Sequence, residues 1–382
     1  MNDFPEIFNE FSEARKNGFI KIKNLKETGK KIVGTFCAFT PYELIMAADA
    51  IPISLCGGSQ EPISDAERDL PRNLCPLIKS SYGFGITNKC PYFYFSDMIV
   101  GETTCDGKKK MYEYLSKLKP MHIMQLPQTI DHDRSMELWS NEMLALKKSL
   151  ENQLDVKITE NDIKKAIQLR NEERRILKEF YELSTLCPPP ITGLEMIKVL
   201  HGTEFTIDKK QQNKDIKKLI NNIKEKYKNE KHKISENTPR ILITGCPIGE
   251  ATEKIVKLVE ENGGIVVCFE NCSGIKSKYR LVDENKNVID ALTENYLNIG
   301  CSCISPNDNR IDLLSKLIDQ YKIDGVIDMI LQACHTYNVE TKRIKEFVTT
   351  KKEIPYMSLE TDYSESDIGQ LKTRISAFIE ML

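Results

Sequence analysis

Nowhere in these 382 residues is there a run of about 20 apolar side chains, the length that crosses a bilayer's hydrocarbon core, so a membrane-spanning helix is excluded. The N-terminal stretch MNDFPEIFNEFSEARKNGF carries acids and no long apolar core, which fits neither a secretory signal nor a transit peptide, and the cytoplasm is the default location. No G-x-x-x-x-G-K-[ST] loop is present, and no G-x-G-x-x-G follows a strand, so the chain lacks the usual means of cradling ATP or a dinucleotide; Gly57 and Gly58 make half a phosphate loop at most. No C-x-x-C pair exists for a structural zinc site. His122, His132, His201 and His232 are scattered and never reach the i, i+4 spacing of a helical metal pair, so they read as structural or exposed. A formal net charge of -2 gives no general pull toward nucleic acid or anionic membrane. The Lys-rich run from Lys209 to Lys233 is interleaved with Asp215, Glu225 and Glu230 and reads as a solvated helix face.

What the chain does have is cysteine. Twelve thiols without a secretory signal, in a compartment that keeps thiols reduced, are buried small hydrophobes, redox groups or metal ligands, not a disulfide framework. With 40% hydrophobic and 29% charged residues, the chain is otherwise an ordinary globular one with room for two or three cores.

An amphipathic N-terminal helix is expected through Phe8, Phe11 and Ala14. Strand candidates Ile32 to Thr35, Ile51 to Leu55, Asp97 to Val100 and Met121 to Leu126 then alternate with helical stretches such as Pro41 to Ala50 and Lys108 to Lys117, the alternation of a parallel sheet. After Pro127 the period becomes helical: Trp139, Met143, Leu146 and Leu150, then Ile163, Ala166 and Ile167, then Ile216, Leu219, Ile220, Ile223 and Tyr227. Cys187 with Pro188, Pro189 and Pro190 interrupts this region, since no helix interior tolerates such a run. From Arg240 the strands return in ILITG, GGIVVCFE, DGVIDMI and IPYMSLE. GTFCAFTPYE matches ITGCPIGEAT, and SDMIVGETTCDGKKK matches GVIDMILQACHTYNVET, so the two α/β segments read as a repeat. The expected architecture is α/β: two similar doubly wound parallel-sheet domains facing a cleft, with an N-terminal helix and a helical insert between them. The boundaries fall at residues 1–30, 31–135, 136–235 and 236–382.

Cys37, Cys75 and Cys105 each open a connecting segment in the first half, and Cys272, Cys303 and Cys334 do so in the second. Residues just beyond the carboxyl ends of parallel strands converge on the crevice where open α/β sheets bind ligands. Single cysteines, each on its own loop, suit an iron-sulfur cluster gripped at several corners; zinc and simple buried thiols stay open on spacing alone. Cys56, Cys90, Cys187 and Cys268 read as buried thiols.

The motifs CAFTPYELIMAADAIPISLCGG, LPRNLCPLIKSSYGFG, VGETTCDGKKKMYEYL, ITGCPIGEATEKI, ENCSGIK, CSCISPNDNR and LQACHTYNVE span nearly the whole chain. Together they resemble the 2-hydroxyacyl-CoA dehydratase D component and benzoyl-CoA reductase superfamily, and more narrowly its double-cubane-cluster subfamily. The resemblance implies an ATP-dependent low-potential reductase of a small molecule, a homodimer without nucleic-acid or membrane partners. Its electrons would come from a separate dimeric ATPase activator that carries its own [4Fe-4S] cluster and alone uses ATP. It also implies ligands: Cys37, Cys75 and Cys105 from CAFTPYE, NLCPLIKS and TTCDGKKK, and Cys272, Cys303 and Cys334 from ENCSG, CSCISPN and QACHTYN. In the subfamily six such thiols hold a double-cubane [Fe8S9] cluster, whereas the broader superfamily holds one [4Fe-4S] cluster on three. The internal repeat sets Cys246 where Cys37 stands, and Cys301 is as near as Cys303, so both remain candidates.

Around such a cluster, Lys79, Ser80 and Ser81 are candidate hydrogen-bond donors and His335 a candidate proton source, with turn and helix-start duties as the plainer readings. Glu43 and Glu250, in the first turns of helices, read as favouring the helix dipole. Two other functions fit the same cleft: a 2-hydroxyacyl-CoA dehydratase subunit with a single [4Fe-4S] cluster, and a non-catalytic binding protein whose thiols sense redox state.

Overall fold

The computed structural model describes residues 20–130, 133–229, 232 and 234–382; the expected helix through Phe8, Phe11 and Ala14 and the residue His132 lie outside these. Among these residues, eight strands form two sheets. The first holds β1 (Lys31–Thr35), β2 (Ala50–Ser54), β3 (Met98–Glu102) and β4 (Met121–Met124) in the order β2-β1-β3-β4. The second holds β5 (Arg240–Gly245), β6 (Ile265–Phe269), β7 (Gly325–Leu331) and β8 (Tyr356–Thr361) in the order β6-β5-β7-β8. Every pairing is parallel, and the two orders are the same order repeated. β5 and β7 are buried along their whole length, as strands covered by helices on both faces must be. This is the expected pair of doubly wound α/β units.

In each sheet the chain leaves the first strand toward one edge and returns past it toward the other. The switch point therefore lies between β1 and β3 in one half and between β5 and β7 in the other, where the connections diverge and leave a crevice.

Residues between the sheets are helical, as their periodicity predicts. Trp139, Met143, Leu146 and Leu150 form the buried stripe of the helix Asp133–Leu154. The helix Glu160–Glu182 starts in a capping box between Thr159 and Asp162, and Gly193–Phe205 in another between Thr192 and Glu195. Lys209–Asn229 buries Ile216, Leu219, Ile220 and Ile223 and turns Lys217 and Lys224 outward to Glu172 and Glu179. These helices touch both halves: Glu160–Glu182 packs on Tyr42–Ala47, Asp133–Leu154 on Val288–Leu297, and Gly193–Phe205 on β2 and β6. The apolar core accordingly runs unbroken from Ile53 and Ile99 through Leu200 to Ile243 and Val266. No helix among the described residues is long and apolar enough to cross a membrane.

Candidate functional site

The loops at the two switch points face a single cavity of about 480 Å³. Cys37 follows β1 and Cys105 follows β3; Cys246 follows β5 and Cys334 follows β7, so the repeat delivers one thiol from each strand that flanks a switch point. Cys56 follows β2 as Cys272 follows β6. Cys75 in the first half, and Cys301 and Cys303 in the second, complete nine thiols on one cavity wall. All six cysteines singled out in the sequence are among them, as are the two further candidates, Cys246 and Cys301. Cys56 departs from its buried-thiol reading: it closes an apolar strand, but that strand ends at the crevice. Among the cysteines off the cavity, Cys268 is buried and Cys90 half-buried, whereas Cys187 is exposed, unlike its buried-thiol reading.

Local structure explains how three of these thiols are aimed. Cys75, Cys105 and Cys334 are the N-cap residues of the helices Pro76–Thr87, Asp106–Leu115 and His335–Lys351, so three helix N-termini point their free N–H groups and positive dipole ends toward the cavity. Pro76 at the first helical position gives up no hydrogen bond there. In the second half, Gly245 has φ +104°, and a Cβ on it would lie 2.2 Å from the Met329 carbonyl oxygen; only glycine lets β5 turn there and bring Cys246 N–H to that oxygen at 2.8 Å.

The thiols differ in what already holds them. Cys56 donates to the Phe36 carbonyl at 2.9 Å, and the Cys246 sulfur accepts the Leu331 N–H at 3.2 Å. A hydrogen bond from Cys303 brings Cys301 down to about 6, and one from Cys246 brings Cys334 down to about 7. Burial pushes Cys75 up to about 12 and Cys56 up to about 11, and raises Cys37 and Cys272 as well. Thiols so disfavoured as free thiolates ionise readily only against a strong positive charge.

Part of that charge is built in. Lys108, buried on the helix after Cys105, donates to the Phe36 carbonyl at 2.8 Å, and among the described residues no carboxylate lies within ion-pair distance of it. Glu102, near enough for the Lys108 charge to lower it, is nonetheless pushed up to about 7 by burial and accepts from Thr40. A buried ammonium normally has a counter-charge. Nine thiols, three helix N-termini and an ammonium without a carboxylate form a donor set for a soft, anionic, multi-metal group. No three His, Cys, Asp or Glu side chains among the described residues close on the position of a single metal ion.

Charged groups on another part of the cavity wall come mainly from the helical insert. Arg170 pairs with Glu173 and lies 5.0 Å from the Tyr42 ring centroid. Glu173 also receives Lys209 at 3.3 Å and Gln212 at 2.8 Å. Lys278 is buried, donates to the carbonyls of Ser273 and Gly274, and is pulled down to about 8 by burial. His201 lines the cavity with its ring against Phe205. No sequence signal isolates these residues, because each sits in an unremarkable helical pattern.

His335 is exposed at the cavity rim, next to Cys334. Lys79 does not line the cavity: its ammonium is held by Glu67 at 2.9 Å and the Arg72 carbonyl at 2.8 Å. Ser80 and Ser81 bind the loop after β2, through the Ser59 carbonyl and the Gly57 N–H. A Cβ on Gly57 would lie 2.5 Å from the Ser81 nitrogen, so these glycines serve close packing and not a phosphate. Glu43 does more than meet a helix dipole: buried, it pairs with Arg174 at 2.7 Å and accepts from Tyr296 at 2.6 Å. Glu250 accepts the Gln60 N–H at 3.0 Å across the two halves.

With this geometry in place, the relatives of the chain are informative. A family model described as the D-component of 2-hydroxyglutaryl-CoA dehydratase matches residues 37–382. The chain is 53% identical over 382 residues to an Escherichia coli (strain K12) protein described as "Putative dehydratase subunit YjiM", covering 100% of this chain and 99% of the relative. It is 27% identical to the (R)-phenyllactyl-CoA dehydratase beta subunit of Clostridium sporogenes, over the full length of both. It is 18% identical to one of the benzoyl-CoA reductase subunits of Thauera aromatica, covering 93% of this chain and 92% of that one.

Proposed function

Because the chain belongs to the 2-hydroxyglutaryl-CoA dehydratase D-component family, we propose that it is the cluster-bearing component of an ATP-dependent iron-sulfur reductase, fed by a separate dimeric ATPase activator. The observation that carries this reading is the ring of nine thiols, drawn from both halves of the chain and backed by the carboxylate-free Lys108. An iron-sulfur group held by that ring supplies a store of low-potential electrons whose energy depends on net charge, hydrogen bonds and burial.

The chain's own residues have separable duties. Cys37, Cys75 and Cys105 from one half and Cys272, Cys303 and Cys334 from the other are the holders in a double-cubane arrangement. Cys246 and Cys56 are tied to backbone groups, and Cys301 is the more deeply buried of its pair. Lys108 and the three helix N-termini offset the negative charge that thiolates and sulfide bring. The small-molecule substrate occupies the part of the cavity where Tyr42, Tyr296, Arg170 and Lys278 offer rings and donors beside the thiols. His335, at the rim, is placed to carry protons between solvent and the cavity. The active form is a homodimer, and ATP is consumed only by the activator. A second reading, a dehydratase subunit with one [4Fe-4S] cluster on Cys37, Cys75 and Cys105, is favoured by the full-length match to a dehydratase beta subunit.

The test is iron and acid-labile sulfide per chain in protein purified without oxygen, with its EPR spectrum after reduction. About eight irons support the six-thiol arrangement and about four the single cluster. No iron after anaerobic reconstitution overturns both.

A further inference from the structure

Beneath the second half of the thiol ring lies a buried network for which the cluster reading has no use. We propose that the Tyr337 hydroxyl is a dedicated hydrogen-bond donor to the Cys272 sulfur, locked into that role by Lys276, and that it makes the second half of the ring electronically unlike the first. The inference rests on the cluster reading and concerns a positioning residue, one that acts through a ligand.

Tyr337 is buried on the first turn after Cys334, and its hydroxyl oxygen lies 4.0 Å from the Cys272 sulfur, at the outer limit for a bond to sulfur. Lys276 places its Nζ 2.9 Å from the same oxygen. An ammonium has donors only, so the phenol oxygen must accept there and its own hydrogen is directed elsewhere. Cys272 is the acceptor on that side.

The clamp is strong. Lys276 is 3.0 Å from Glu270, and both side chains are wholly buried. Glu270 accepts from Thr244 at 2.6 Å and lies 3.5 Å from Arg310, which is also wholly buried. The Arg310 guanidinium lies 4.9 Å from the Tyr337 ring centroid, and Arg310 is itself held by Glu340 and, at 3.6 Å, by Asp328. Two cations therefore sit around one phenol ring, polarising its O–H toward the cavity.

The repeat sharpens the point. Three residues after Cys334 stands Tyr337, and three residues after Cys105, on the matching helix of the first half, stands Lys108. The first half presents a bare cation near its thiols, whereas the second interposes a phenol between its cation and the sulfur. A hydrogen bond to a ligand sulfur withdraws electron density and eases reduction. The site thus has two ends of different electron affinity, which gives electrons entering one at a time a preferred place to rest.

The experiment is an EPR-monitored potentiometric titration of the anaerobically assembled full chain, comparing wild type with Tyr337→Phe. The expected result is an unchanged iron content with a more negative midpoint: about a tenfold lower reduced-to-oxidised ratio at the wild-type midpoint, equivalent to 59 mV for a one-electron couple. Tyr337→3-fluorotyrosine keeps the shape and strengthens the donor, so its midpoint should move the opposite way, and it serves if the phenylalanine variant fails to assemble. Tyr181→Phe removes a buried hydroxyl that has no hydrogen-bond partner among the described residues and does not line the cavity, and should leave the midpoint alone. Unshifted potentials with iron retained, or an equal shift in the Tyr181 control, overturn the inference while leaving the cluster reading standing. Wild-type protein that takes up no iron overturns both.

Discussion

Glu260 illustrates how much a single carboxyl can contribute away from the thiols. Burial in the main, with the neighbouring Glu195 adding to it, pushes this acid up to about 7, while the Gly193 N–H donates to it at 2.6 Å. Its folded value lies above the unfolded value of about 4.3, so the folded state binds the proton more tightly. The associated stability is fully present below about pH 4.3 and is lost as pH rises through about 7. Glu260→Gln keeps the acceptor and removes the titration. Urea unfolding across this window should show the variant gaining about 2 kcal/mol on wild type from the acid end to pH 8. Parallel curves would refute the assignment. At the same scale, the sequence showed where cysteines stand but not what each one meets. Nothing in LQACHTYN reveals that Tyr337 reaches the sulfur of Cys272, because that contact spans 65 residues of chain.

At the scale of elements, three helices are joined by one buried charge. Arg174 of Glu160–Glu182 reaches Glu43 of Tyr42–Ala47, and Tyr296 of Val288–Leu297 donates to the same carboxylate. Burial favours the neutral acid, yet Arg174 and Arg170 together hold Glu43 below its usual range. Arg174→Leu leaves that carboxylate buried and unpaired, and is expected to lower unfolding free energy by about 3–5 kcal/mol. Adding Glu43→Met should recover most of the loss, since a well-packed apolar pair often matches a buried ion pair. A double variant no more stable than Arg174→Leu alone would show that the pairing is not what Arg174 contributes. The helices themselves were legible in the sequence through period and punctuation, as with the Trp139 to Leu150 stripe and the break at Pro188. Which helix lies on which sheet was not, since an apolar stripe specifies burial without naming its partner.

For the whole molecule, the thiol ring is the part that both halves share. Direct links between them exist as well, such as Glu250 N–H to the Gly58 carbonyl at 3.0 Å, Tyr363 to the Gly57 carbonyl at 3.4 Å and Tyr296 to Glu43 at 2.6 Å. A group bound by thiols of both halves in the folded state alone should raise the unfolding temperature. Scanning calorimetry on anaerobic protein before and after iron removal by a chelator is expected to show a fall of about 5 °C or more. An identical transition in the two forms would mean that no such bridge spans the cleft.

The sequence by itself determined the eight strands, their parallel alternation with helices, the repeat and the placing of cysteines after strand ends, because propensity, period and turn chemistry act over a few residues. The N-cap positions of Cys75, Cys105 and Cys334 follow from that same local code. Only the tertiary structure decided that Cys56 joins the ring, that Lys79 turns to Glu67 and away from the cavity, that Lys108 stands without a carboxylate, and that Lys276 and Arg310 clamp Tyr337. These outcomes depend on which surfaces two folded halves and a helical insert present to one another. Packing over long sequence separations fixes them, and no local pattern records it.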